Sequence, residues 1–322
     1  MSVAFPAFRA CARPFTARLL TTQIDASARP FLMLWHCLAR GPTPRSPPSR
    51  SPMMPLDCTF NGGENRSMDN AAASSPAGDL RERRFSGTLG DDYELWHLAR
   101  PFLGEVHEVV VRAARSFTQA RDRPLRALDI GMGMGDGAIT GLLLADAQLS
   151  VTGVDNEPKM IKKARELLAT DLASGRLKIV LDDALHFLTK QPSHAFDVIA
   201  SGYVLHNLIG DYRVRLYDEI WRVLAPSGLF VNADKYAQTV EAHREALRWQ
   251  LNRFFDVFVP RQRYDLLREW VLHYVEDEAP DRVMPEADAI TQLNDLGFAD
   301  VRIGYRRYMD AVLIAHKPWA HR

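Results

Sequence analysis

The run Ala127–Thr140, ALDIGMGMGDGAIT, ends an apolar stretch on a carboxylate, Asp129, and then places glycines at 131, 133, 135 and 137. Glycine tolerates positive φ and lets a ligand lie against bare backbone. A helix starting behind such a loop offers N–H groups without intrahelical partners. Two more acids close later apolar runs: Asp155 in LSVTGVD and Asp183 in VLDDAL. Glycines followed by spaced acids are the chemistry of a nucleotide-like ligand, and two ligands compete for it.

A dinucleotide asks for G-x-G-x-x-G or -A with an acid about 20 residues later, and Gly133, Gly135 and Ala138 fit that loosely. Asp129 decides against it, because a carboxylate beside the loop repels a pyrophosphate and attracts an ammonium group. Asp155 suits two ribose hydroxyls. Asp183, with a backbone N–H of the DDAL turn, suits an adenine edge. An ammonium, a ribose and an adenine without phosphate describe S-adenosylmethionine. Each acid has a plainer alternative: Asp129 and Asp183 as helix caps, Asp155 as a turn former.

A second set of residues falls where an acceptor would come. His206, in YVLHNL, titrates near neutral pH and is either a general base or a loop prop bonded to backbone. Asn207 reads as a turn residue. Asp234, Lys235 and Tyr236 end the run GLFVNADKY on the same rim, and Tyr236 is a candidate for the acceptor pocket. Arg306 and Arg307 either grip an anion or lie solvated in a turn. Displacement at a methyl carbon needs alignment and water exclusion more than acid–base help, since proximity contributes roughly 7–11 kcal/mol.

The elements that position these residues follow from periodicity. HLARPFLGEVHEVVVRAARSF should be one or two helices. RALDI, LSVTGVD, LKIVL, FDVIASG and GLFVNAD should be strands. GAITGLLLAD, EPKMIKKARELLATDL (Pro158 in its first turn), ALHFLTK and DYRVRLYDEIWRVL should be the helices between them, the last ended by APSG. Strands alternating with helices mean a parallel sheet covered on both faces. From 236 to about 285 the chain should be a helical insert. Its aromatic stripe (Trp249, Phe254, Phe255, Phe258, Trp270, Tyr274) is mostly packing core, with one or two rings facing the site. The helix EADAITQLNDLGF and the strands DVRIGYRR and DAVLIAH close the chain, the last two as an antiparallel hairpin.

The chain has 322 residues, 47% hydrophobic and 25% charged, enough for a large core. From Asp69 onward acids outnumber bases, 37 against 32, which disfavours general nucleic-acid binding. The three cysteines, Cys11, Cys37 and Cys58, precede the regular part, so that part has no thiolate metal site and no cysteine nucleophile. No metal is expected. Residues 1–80 read as a separate extension: Pro-, Ser- and Arg-rich, and either a targeting segment or the product of a start upstream of Met53, Met54 or Met68. The folded part is expected over 81–322.

The ordered set LDIGMGMG, VTGVDNEPKMIKKAR, VLDDALHF, FDVIASGYVLHNL and EIWRVLAPSGLFV resembles the class I S-adenosylmethionine-dependent methyltransferases, over about Phe85–Pro318. The resemblance implies an α/β, Rossmann-like sheet of seven strands, mostly parallel, with the C-terminal hairpin antiparallel and the insert after strand 5. It implies that the backbone of Gly131, Gly133 and Gly135 holds the methionine end. Asp155 would then hold the ribose, and Asp183 and Ala184 the adenine. Met160 or Met132 would be lids, and Ser201 and Tyr203 would border the sulfonium.

The expected activity is methyl transfer to a small molecule, with O-, N- and C-acceptors open. Strand 4 lacks an Asn/Asp-Pro-Pro-aromatic box, so exocyclic base amines are disfavoured. No acid cluster follows it, which disfavours a Mg²⁺-dependent catechol type. The layout after strand 5 is also similar to the carboxy-S-adenosylmethionine synthases of tRNA wobble-uridine modification. These need an arginine where this chain reads LHYVED, with His273 and Tyr274. A non-catalytic cofactor-binding subunit is the remaining alternative; a broken loop or a lost ribose acid would mark it, and neither is seen. A small-molecule substrate, no membrane, a monomer or homodimer and a cytoplasmic setting are expected, the last unless residues 1–80 direct import.

Overall fold

The computed structural model describes residue 89 and residues 93–319, apart from 136–138 and 145. The expectation for the N-terminal extension, and Ala138 of the loop, lie outside the described residues.

Helices α1 (Tyr93–Ala99) and α2 (Leu103–Gln119) precede the sheet. The alternating part follows as β1 (Leu125–Ile130), α3 (Ile139–Leu144), β2 (Leu149–Asp155), α4 (Pro158–Leu167), α5 (Ala169–Ala173), β3 (Leu177–Leu181), α6 (Ala184–Thr189), β4 (Phe196–Gly202), α7 (Gly210–Val223) and β5 (Leu224–Lys235). The insert is α8 (Val240–Phe258) and α9 (Tyr264–Asp277). The chain closes with α10 (Glu286–Asp295), β6 (Ala299–Arg307) and β7 (Asp310–His316). The seven strands form one sheet in the order β3-β2-β1-β4-β5-β7-β6. The first five strands pair in parallel, and β7 runs antiparallel to both β5 and β6.

Strand periodicity sends Leu128, Ile130, Ile199 and Phe230 to one face, where they join Leu216 and Ile220 of α7 and Leu293 of α10 in a continuous apolar core. Helix α2 packs along β5 and β7. The strand order reverses beside β1, where β2 and β4 flank it on either side. Ligands of open α/β sheets bind at the carboxyl ends of strands at such a reversal. No helix among the described residues is long and apolar enough to cross a membrane.

Two elements differ from expectation. EPKMIKKARELLATDL is broken at Leu168, which leaves helical geometry and turns inward under the glycine loop. A Cβ on Gly135 would lie 2.6 Å from Leu168 Cδ1. APSG does not precede β5 but bulges within it: Leu224 already pairs with Phe196, the ladder resumes at Leu229 with Val198, and Ser227 takes φ 59°. Helix α4 begins as expected, with Pro158 in its first turn and Glu157 accepting a hydrogen bond from Lys159 N.

Candidate functional site

The loop after β1 is shaped by its glycines. Gly131, Gly133 and Gly135 have φ of 70°, 57° and 73°. A Cβ on Gly131 would meet Val204 Cγ2 at 2.2 Å, so a side chain there is excluded by space as well as by dihedral. Asp155, at the end of β2, holds the loop against the sheet. One carboxylate oxygen accepts from Gly133 N at 2.9 Å and the other from Glu157 N at 2.8 Å. Burial raises the Asp155 carboxyl above its ordinary value, and these N–H groups pull the other way.

Gly131, Gly133, Asp155 and Glu157 border a pocket at the carboxyl edge that also takes in Met160, Asp182, Asp183, Ala184, Tyr203 and Asn207. Asp183 caps α6, accepting from His186 N at 3.0 Å, and its other oxygen accepts from the Tyr212 hydroxyl at 2.8 Å. That hydroxyl in turn accepts from Leu185 N at 3.0 Å. The capping alternative is therefore the geometry present, on a residue that also lines the pocket. Four carboxylates line it (Asp155, Glu157, Asp182 and Asp183), with no lysine or arginine among the described lining residues.

Several expected site residues lie elsewhere. Asp129 is not in the lining: it is 1% exposed beneath the loop and accepts from Thr140 Oγ1 at 2.6 Å. Gly135 faces Leu168 and Met132, so it shapes the loop from behind. Ser201 is buried and donates to Ile130 O, tying β4 to β1. Met132 is core packed on Gly153, not a lid, whereas Met160 does line the pocket. Tyr236 is core as well: its hydroxyl accepts from Asn232 Nδ2 at 2.7 Å and burial drives its pKa well up. The alternation of strand β5 takes this ring into the apolar face rather than onto the rim. Arg306 pairs with Glu286, and Arg307 is exposed on the hairpin.

Burial lifts the Asp129 carboxyl from 3.8 to about 7, against the pull of Thr140. The folded chain thus keeps a proton that the unfolded chain loses. This contribution favours folding below about pH 4 and is lost as pH rises through about 7. Asp129→Asn keeps an acceptor for Thr140 and has no charge to bury. Its melting temperature should exceed wild type at about pH 8, by on the order of 1–4 kcal/mol of stability, and by much less near pH 5. A shift of equal size at both pH values would show that ionisation of Asp129 is not involved.

His206 lies on a 3₁₀ turn, Leu205–Asn207, that separates two cavities. Asn207 faces the acidic pocket, and His206 faces a second, smaller cavity beneath the insert. His206 Nδ1 lies 2.5 Å from Asp234 Oδ1, while Asp234 Oδ2 accepts from Leu205 N at 2.9 Å. A carboxylate against Nδ1 places the imidazole proton there and leaves Nε2 as the acceptor. Nε2 points toward Asp277 Oδ2, 3.8 Å away. Burial, then the Lys235 ammonium, lowers His206 below the ordinary histidine value. Burial opposes the charge of Asp234, but His206 and Lys235 outweigh it and hold that carboxyl below its usual range.

The residues missed by sequence reasoning are Asp277 at the end of α9, Arg100 just after α1 and Asp310 at the start of β7, and they surround Lys235 and Tyr203. Lys235 Nζ lies 2.5 Å from Asp277 Oδ2 and 3.5 Å from the Tyr274 ring centroid. Nitrogens of His206 and His273 and an oxygen of Asp277 fall within 4.8 Å of one another, the spacing of a metal set; the Lys235 ammonium is the cation already there. Arg100 is fully buried, paired with Asp310, bonded to the Tyr274 hydroxyl at 3.0 Å and stacked on Tyr203 at 4.2 Å. Its charge is balanced by Asp310, so it is not a spare cation for a substrate carboxylate. Nothing in local sequence signals these partners, which lie up to 210 residues apart.

Residues 128–232 match the family model described as a methyltransferase domain. A demethylmenaquinone methyltransferase of Leptospira interrogans is 32% identical over 144 residues, 44% of this chain and 54% of that protein. A sterol 24-C-methyltransferase of Neurospora crassa is 29% identical over 38% of this chain and 32% of its own length. The chain thus spans about half the length of the Leptospira relative. A solved S-adenosylmethionine-dependent methyltransferase from Aquifex aeolicus is 16% identical, with TM-score 0.45 over 70% of this chain and 97% of that one.

Proposed function

We propose that the chain, whose residues 128–232 match a methyltransferase domain, is a class I enzyme that transfers a methyl group from S-adenosylmethionine to a small-molecule acceptor, with His206 as general base. The observation that carries the cofactor reading is the acidic pocket: four carboxylates and no facing lysine or arginine suit a cationic ligand and oppose a pyrophosphate. The Gly131–Gly133 backbone would take the methionine end. Asp155 would take the ribose through lone pairs that its backbone partners leave over. Asp183 and Ala184 would take the adenine, with Met160 packing alongside. Bound S-adenosylmethionine supplies an electrophilic methyl group on a good leaving group, so the protein's part is alignment, dryness and proton removal.

For proton removal, the His206–Asp234 pair supports the base reading over the prop. The prop for the loop is Asp234 itself, through Leu205 N, and the imidazole is left with Nε2 on the cavity side. A histidine kept neutral by burial is in the form a base requires. The relatives act on menaquinone precursors and sterols by name, which supports a small organic acceptor.

Calorimetry tests the cofactor. S-adenosylmethionine and S-adenosylhomocysteine should bind at micromolar affinity and NAD should not; equal or better binding of NAD would overturn the reading. Methyl transfer from labelled cofactor into a small-molecule extract, read by mass spectrometry, then identifies the acceptor.

A further inference from the structure

Two adjacent acids follow β3, and they are held differently. Asp182 is engaged by basic side chains, His186 Nδ1 at 2.7 Å and Lys190 Nζ at 3.2 Å. Asp183 is held by uncharged donors. Its Oδ1 accepts from His186 N at 3.0 Å, and its Oδ2 accepts from the Tyr212 hydroxyl at 2.8 Å, from a residue 29 positions away in the first turn of α7. A carboxylate has about four acceptor positions, so Asp183 keeps lone pairs for a ligand in the pocket it lines with Ala184 and Tyr212. Tyr212 has little freedom. Its ring is 3% exposed within the apolar core. Its oxygen accepts from Leu185 N at 3.0 Å, which directs its one proton at Asp183. Burial, with Asp183 nearby, raises the pKa of this hydroxyl, so it remains a donor. The turn that carries it is fixed as well, because Arg213 reaches Leu208 O at 2.9 Å and Arg282 O at 2.7 Å.

We propose that Tyr212 is a positioning residue that aims the Asp183 carboxylate at the exocyclic amine of the ligand's purine, and that it thereby sets the pocket's preference for adenine over a 6-oxopurine. This rests on the methyltransferase reading and deepens it. Adenine presents an amine donor at C6 beside an acceptor at N1. A 6-oxopurine presents the reverse, an oxygen acceptor beside an N1–H donor. Asp183 accepts only, so it matches the first edge and repels the oxygen of the second. A carboxylate free to turn would swing away from that oxygen or shift to the N1–H, and the two bases would bind alike. One clamped by a buried hydroxyl does neither.

Capping of α6 does not require the tyrosine. Oδ1 on His186 N completes the cap, and Oδ2 is the oxygen that the cap leaves over. Tyr212 takes that second oxygen and fixes the plane of the carboxylate. Side chains locked by packing and by a second layer of hydrogen bonds hold a ligand without first having to be ordered. Tyr212 is locked by both, through its buried ring and through Leu185 N. It thus acts on the purine through Asp183.

The test compares two probes on the full chain by calorimetry: S-adenosylhomocysteine and its 6-oxopurine counterpart, S-inosylhomocysteine. Wild type should bind the adenine compound more tightly by about tenfold or more. Tyr212→Phe removes one oxygen and keeps the packed ring; it should reduce that ratio by about threefold or more. A general loss of stability would weaken both probes together and leave the ratio in place. Asp183→Asn keeps an oxygen for His186 N and turns an amide N–H₂ toward the pocket, so it should abolish or reverse the preference. In that background Tyr212→Phe should change the ratio no further, since no carboxylate is left to aim. Wild type without a preference, Tyr212→Phe with the wild-type ratio, or a Tyr212→Phe effect on the ratio that persists beside Asp183→Asn would each overturn the proposal. Failure of wild type to bind S-adenosylhomocysteine at all would strike the methyltransferase reading, and this proposal with it, so the two failures are told apart.

Discussion

His206→Ala is expected to slow methyl transfer by about 10²–10⁴-fold while S-adenosylhomocysteine affinity stays within a few-fold. His206 lies outside the lining of the acidic pocket, so its loss removes no group that faces the cofactor. The 3₁₀ turn keeps its main anchors: Asp234 still accepts from Leu205 N, Arg213 still reaches Leu208 O at 2.9 Å, and Arg282 still reaches Asn207 O at 2.7 Å. What disappears is Nε2 on the cavity side. In wild type the rate should rise with pH as His206 gives up its proton, with the midpoint below the ordinary histidine value of 6.5 because burial disfavours the charged form. The variant should lose that limb. His206→Asn is the structural control, since its amide can still donate to Asp234; it should recover melting temperature and not rate. A variant that loses cofactor affinity and rate together, with the pH profile intact, would make His206 a prop.

Asp155→Ala is expected to weaken S-adenosylmethionine binding by at least tenfold and to lower the melting temperature of the free protein as well. The sequence alone presents Asp155 as a ribose acceptor or a turn former, and loss of a mere ribose acceptor would leave the unliganded fold untouched. The structure makes it the anchor of the loop too, through Gly133 N and Glu157 N. Hydrogen bonds to a charged group contribute about 1.5–3 kcal/mol each, and both are removed whether or not ligand is bound. Affinity then falls twice over: the ribose contact goes, and the loop must be ordered at the moment of binding. Asp155→Asn, which keeps one acceptor oxygen, should lie between. An unchanged dissociation constant would leave Asp155 as a turn former only.

The sequence by itself determined the sheet and the strand-end residues that line the acidic pocket. LSVTGVD, LKIVL and FDVIASG become strands with the bounds read from their apolar runs. The hairpin of β6 and β7 follows from two strands too close together for a crossover. The loop at Gly131 and Gly133 and the acids at 155 and 183 are legible because each ends a strand, and a parallel sheet carries every strand end to the same edge. These are local signals combined by one rule of topology. Even here the local reading overreached at Asp129, Ser201 and Tyr236, because sequence says which residue ends a strand but not which face its side chain takes once the neighbouring strand is in place.

Only the tertiary structure brought together the buried charges beneath the insert. Lys235 and Asp277 are 42 residues apart, Arg100 and Asp310 are 210 apart, and each pair closes only when α1 and the insert fold down on the ends of β5 and β7. A buried charge leaves no periodic trace in sequence. Lys235 and Asp277 read as two ordinary polar residues, and what makes them a site is the desolvation that forces each to find the other. His206 is the intermediate case: its type and place made it a candidate, but base or prop turned on which of its nitrogens Asp234 held. The structure adds that β5 delivers a carboxylate within 2.5 Å of Nδ1 and leaves Nε2 on the cavity side, which supports the base reading.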